Sequence, residues 1–161
     1  MFETIVWATD GSVNADQALP YAKSLANQAA AKLVVVHVVE RYATHSAAGL
    51  AVHADEELVE ARLNRVVAGL SDEGLNASLK IVTHVGPQPA HEIARIARDE
   101  DADLIVVGTR GHTPVGGLLL GSVTMRLLHV APCPVLAVPT IRRPVPEDRE
   151  VEPEPGTQER S

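Results

Sequence analysis

Five short apolar runs, spaced by segments of helical periodicity, constrain this chain more than any other feature. Thr4 to Ala8, Leu33 to Val39, Ala77 to Val85, Leu104 to Val107 and Val135 to Val138 are rich in Val, Ile and Leu and read as strands. Ala15, Leu19, Ala22, Ala26 and Ala29 recur at helical spacing, which predicts a first helix from about Val13 to Ala30 with a kink at Pro20. Val59, Leu63, Val66, Val67 and Leu70 make one stripe on a second helix, Asp55 to Leu70, that Gly74 ends. Ala90, Ile93 and Ala97 form the face of a third helix ending near Glu100, and a short fourth helix runs from about Gly121 to His129. Arg41 to Val52 has no periodicity and reads as a loop, and Gly86-Pro87 breaks the chain after the third strand.

The order is therefore β-α-β-α-β-α-β-α-β. With right-handed crossovers this gives a doubly wound, five-stranded parallel sheet with helices on both faces, and a ligand crevice beyond the carboxyl ends of the strands. Asp10 and Gly108 both stand at such ends.

At 161 residues the chain holds one domain with a proper core. Apolar residues are 45% of the total and aromatics only 2%, so that core must be built from Val, Leu, Ile and Ala, which favours α/β over an all-β sandwich. A formal charge of -7, with Lys and Arg scattered, argues against nucleic acid as a partner. Cys133 is the only cysteine, which excludes an intrachain disulfide and a site of paired thiolates and fits a reducing cytoplasm. No leader opens the chain and no apolar stretch is long enough to cross a bilayer, so a membrane location is not expected. Residues 1–140 read as the folded domain. Residues 141–161, where Pro144, Pro146, Pro153 and Pro155 alternate with Glu and Asp, read as a disordered, solvating tail.

The segment richest in chemistry is Gly108-Thr109-Arg110-Gly111, then nine residues, then Gly121-Ser122, between a buried strand and a helix. Glycines permit positive φ and close approach, so successive N–H groups can turn toward one anion, and the following helix adds the positive end of its dipole. Ser122 is suited to cap that helix, with its hydroxyl and the N–H groups of Val123 and Thr124 facing a phosphate. A flexible loop with a serine cap has the same spacing.

This segment resembles the nucleotide loop of the ATP-binding universal stress proteins. The resemblance extends to Ala102-Asp103-Leu104-Ile105-Val106-Val107-Gly108, to Cys133-Pro134-Val135-Leu136 and to Ala8-Thr9-Asp10-Gly11-Ser12, covering about Phe2 to Pro139. It implies a Rossmann-like sheet of the adenine nucleotide alpha hydrolase kind. It also implies that Asp10 lies by the ribose and adenine, that Ala8 and Thr9 line the base pocket, and that the backbone of Val38 hydrogen-bonds the adenine edge. The triphosphate would lie across Gly108, Gly111, Gly121 and Ser122, with Val107 leading into the loop and Val123 and Thr124 at the helix start. Arg110 either adds charge to the phosphates or is simply solvated. A homodimer paired through the edge strand Val135 to Val138 is also implied, with Pro134 and Pro139 as guards of an unpaired edge in the contrary reading.

The function so implied is an ATP-binding cytoplasmic stress or signalling protein, in which Mg²⁺ or Mn²⁺ rides in on the phosphates and meets Asp10. Slow ATP hydrolysis fits, but no general base stands out beyond Asp10, so a binding protein is expected rather than a fast enzyme and no catalytic residue is assigned. A homodimeric interaction module and a cyclic AMP sensor are the alternatives. No protein metal cage is expected: the seven His residues lack ligand spacing, and His37 and His112 read as packing or surface residues. Cys133, without a His partner, reads as structural. The chain has no P-loop, no dinucleotide fingerprint and no nucleophile elbow.

Overall fold

A computed structural model describes residues 1–41, 48–85, 88–110 and 120–140. The elements are β1 (Thr4–Ala8), α1 (Val13–Asp16), α2 (Leu19–Ala29), β2 (Lys32–Arg41), α3 (Ala48–Asp72), β3 (Ala77–Val85), α4 (Pro89–Asp99), β4 (Leu104–Gly108), α5 (Ser122–Val130) and β5 (Val135–Val138). All strand pairs are parallel, in the order β3-β2-β1-β4-β5. The direction of winding reverses between β1 and β4, and that reversal opens a crevice at their carboxyl ends.

Alternation along each strand explains why the apolar runs are nearly continuous. Ile5, Trp7, Leu33, Val35, Leu104 and Val106 join one core cluster with Ala18, Ala22, Ala26, Leu63 and Leu70 of the α2 and α3 side. Val6, Ala8, Val34, Val36, Ile105 and Val107 join the other, with Ala90, Ile93, Ala94, Ala97 and Leu127 of α4 and α5. Both faces of the sheet are thus covered, and each fully buried aliphatic side chain contributes about 1.5–3 kcal/mol relative to exposure. The alanines four apart on α2 carry almost no bulk, which lets the helix lie close against β1.

Three expectations need correction. The single helix over Val13 to Ala30 is two helices, with Gln17 and Ala18 in a turn and Pro20 in the first turn of α2. Proline has no N–H and its ring collides with the carbonyl four residues back, here Asp16, where α1 stops. Of the expected loop Arg41 to Val52, Arg41 is the last residue of β2, residues 42–47 lie outside the described residues, and Ala48 to Val52 belongs to α3, which starts seven residues before Asp55. That stretch is rich in alanine, which favours helix by propensity without leaving a periodic stripe. Gly108 is the last residue of β4 rather than the first of the loop. The Gly86-Pro87 break, His112 and the tail beyond Thr140 lie outside the described residues.

Candidate functional site

The β1–α1 turn supplies the first part of the site. Ala8 closes β1 between Val36 and Val107, and the Thr9 amide continues the ladder by donating to the Val36 carbonyl at 3.0 Å. Asp10 then folds the chain: its Oδ1 accepts from the Ser12 amide at 2.9 Å, while Thr9 Oγ1 accepts from the Gly11 amide at 3.1 Å. Gly11 has φ of 80°, the left-handed region, and an added Cβ there would meet Val59 Cγ1 of α3 at 2.7 Å. Glycine is therefore required twice over, by conformation and by space. Ser12 caps α1, its Oγ accepting from the Ala15 amide at 3.1 Å.

The β4–α5 connection supplies the second part. Val107 is buried, and an added Cβ on Gly108 would sit 3.0 Å from Ala15 Cα and 3.1 Å from the Asn14 carbonyl. The demand at Gly108 is close approach of α1 to the strand end, with no positive φ involved. At the far end of the loop the Gly121 amide donates to the Thr109 carbonyl at 2.6 Å, and Thr124 Oγ1 donates to the Gly108 carbonyl at 2.8 Å. The two described ends of the loop are thus stitched together, although thirteen positions separate Gly108 from Gly121.

Ser122 is not the cap. Gly121 is, with φ -70° and ψ 157°, and no side chain caps the helix. A Cβ at this position would stand 3.1 Å from the Thr109 carbonyl, tighter than usual, which favours glycine where the chain turns into the helix and leaves Ser122 in the first turn. Its side chain is exposed, Val123 is half-buried and Thr124 is buried. The first-turn amides of Ser122, Val123 and Thr124 have no carbonyl four residues back within the helix, and the dipole makes this end attractive to an anion.

The structure brings Ala8, Thr9, Asp10, Val107, Gly108, Gly121, Ser122, Val123 and Thr124 to one end of the sheet. Val38 lies at the same end, on β2 two residues beyond Val36 and beside Val82 of β3. Arg110 follows the buried Thr109 and is half-buried; Gly111 lies outside the described residues. Among the described residues no three or more His, Cys, Asp or Glu side chains are placed to hold a metal ion. The Asp16 carboxyl is raised above its ordinary value first by burial and slightly by Asp10, against the pull of Arg62. Burial, followed by the negative charge of Asp103, also pushes the Cys133 thiol up, which keeps it protonated and poorly nucleophilic.

One residue here was not legible as functional. His37 is buried, with Nδ1 3.0 Å from the Thr9 carbonyl oxygen and Nε2 2.9 Å from Glu56 Oε2. The signal was present: an ionisable ring inside the apolar run Val34 to Val39 must find partners.

The universal stress protein family model matches residues 1–139. A universal stress protein from Thermus aquaticus, named for its place in the 3' region of a sulfhydrylase gene, is 38% identical over 146 residues, covering 86% of this chain and 99% of its own. Among solved structures, protein MJ0577 of Methanocaldococcus jannaschii superposes with a TM-score of 0.70 at 29% identity, over 86% of this chain and 96% of that one. An Archaeoglobus fulgidus universal stress protein in complex with dAMP gives 0.61 at 25% identity, over 86% and 98%. Another universal stress protein, in complex with cAMP, gives 0.56 at 25% identity, over 87% and 98%. No described helix is long and apolar enough to cross a membrane. With its parallel sheet, its β1 turn and a match along nearly all of the described chain, this protein belongs to the universal stress protein family.

Proposed function

We propose that this protein binds an adenine nucleotide, ATP above all, at the carboxyl ends of β1, β2 and β4. The observation that carries the reading is the tying of the two described ends of the glycine loop at the start of an uncapped α5: the Gly108 carbonyl accepts from Thr124 and the Gly121 amide donates to the Thr109 carbonyl. That arrangement leaves backbone N–H donors of the Ser122 turn for a phosphate, and Gly111 and Arg110 would complete the cradle. The donor set fits an anion without help from a protein metal cage. Asp10, at the end of β1, would take the ribose, Ala8, Thr9 and Val38 would border the base, and a divalent ion would arrive on the phosphates. The dAMP and cAMP complexes of structural neighbours support an adenine ligand.

The role we infer is binding in a cytoplasmic stress or signalling response, with hydrolysis at most slow. The cAMP-bound neighbour favours one second reading, a cyclic AMP sensor. Phosphate length separates the two, since a triphosphate spans the loop to Gly121 and a cyclic monophosphate does not need to. Calorimetric titration with ATP, ADP and cyclic AMP in the presence of Mg²⁺ tests this, with ATP expected to bind most tightly. Homodimerisation through β5 belongs to the same proposal. β5 is an edge strand, and Leu136 on it and Met125 and Leu128 on α5 are exposed.

A further inference from the structure

Among the described residues His37 is the only buried side chain of an ionisable type, and both of its ring nitrogens have partners. A carbonyl oxygen only accepts, so Nδ1 carries a hydrogen and donates to Thr9. The two partners belong to different parts of the fold: Thr9 immediately precedes Asp10, and Glu56 lies on α3. Two more α3 residues reach this turn and the helix that follows it. Val59 stands over Gly11, and Arg62 pairs with Asp16 of α1. Glu56, Val59 and Arg62 are three apart and form one stripe of the helix. α3 is thereby held over the turn that carries Asp10, with His37 as the link to the sheet beneath.

We propose that His37 is a positioning residue for the adenine-nucleotide pocket: it sets the Thr9–Ser12 turn between β2 and α3 and so fixes where the Asp10 carboxylate stands. The proposal rests on the adenine-nucleotide reading of the site. A turn fixed before binding leaves less for the ligand to order, so its loss appears in affinity. The coupling is reciprocal, and bound nucleotide should in turn hold α3 on the sheet.

The test compares His37→Leu, which has similar bulk and no donor, with His37→Asn, whose amide nitrogen stands where Nδ1 does and still donates. Two readouts are taken on folded, full-length protein: ATP affinity by calorimetry with Mg²⁺, and hydrogen exchange of the Gly11 and Ser12 amides without nucleotide. His37→Leu should weaken ATP about tenfold or more and speed exchange by a similar factor, and His37→Asn should return both to within about threefold of wild type. If His37→Leu does not fold, His37→Gln replaces it, since its amide reaches the Nε2 position and leaves Thr9 without a donor. A merely structural role would lower the melting temperature and leave affinity and local exchange alone; either variant lacking the Thr9 donor yet within about twofold of wild type in both overturns the proposal. Wild-type protein that binds no ATP, ADP or cyclic AMP would overturn the nucleotide reading and the pocket role with it. Faster exchange in His37→Leu would then still uphold the setting of the turn.

Discussion

The Thr124 hydroxyl donates to the Gly108 carbonyl at 2.8 Å, tying the first turn of α5 to the last residue of β4. Thr124 is only 2% exposed, so no water replaces this bond when it is lost. Thr124→Val keeps the shape and removes the donor, leaving a buried carbonyl unpaired at a cost of about 1–3 kcal/mol. Urea denaturation should show that loss, and nucleotide affinity should fall with it because the helix start is no longer fixed beside the strand end. Unchanged stability would mean that the bond contributes nothing.

Asp103 ties the start of β1 to β4, its Oδ2 accepting from the Glu3 amide at 2.7 Å and the Thr4 amide at 3.0 Å. These bonds, Thr4 first, hold its carboxyl below the ordinary value of 3.8. Lys32 and then Lys80 do the same for Glu100. A carboxylate whose folded value is depressed adds stability above its unfolded value and loses it as pH falls through the folded one. Asp103→Asn should therefore be less stable than wild type at neutral pH, and the gap should close as pH drops below 3.8. A gap that is constant with pH would contradict the assignment.

Ala30 ends α2 in the left-handed region at φ 52°, with its side chain exposed. That conformation costs an L-residue about 1–2 kcal/mol, and the extra freedom of an unfolded glycine takes back about 0.4–1. Ala30→Gly should therefore raise stability by about 0.5–1 kcal/mol, measured by thermal or urea unfolding. A destabilised variant would show that the methyl group has a packing role after all.

If β5 pairs with its copy, Leu136→Arg should shift the protein from dimer to monomer in sedimentation velocity at micromolar concentration, since a charge would be buried at the interface. A wild-type monomer would remove the dimer from the account.

The strands were legible because both faces of the sheet are covered, so Leu33 to Val36 and Leu104 to Val107 read as unbroken apolar runs. The two ends of the glycine segment, at Gly108 and Gly121, were legible as the end of a strand and the start of a helix. Less visible were features set by three-dimensional crowding. Nothing in the spacing says that Gly121, pressed against the Thr109 carbonyl, takes the cap from Ser122. Pro20 announced a disturbance, but whether a helix kinks or splits depends on what α1 packs against. The first turns of α3 carry propensity without a stripe. His37 was visible as an oddity in a strand, and its role emerged only when the Thr9 carbonyl and Glu56 were found on either side of it.

The most direct measurement is calorimetric titration of ATP with Mg²⁺ into the wild-type protein and into Gly121→Ala, whose added Cβ would stand 3.1 Å from the Thr109 carbonyl and press on the contact that joins the loop ends. Saturable binding to wild type, weakened about tenfold or more in the folded variant, is the predicted result. Equal affinity in both would contradict a phosphate site at the Gly108 to Ser122 loop, and no binding to either would contradict the nucleotide function itself.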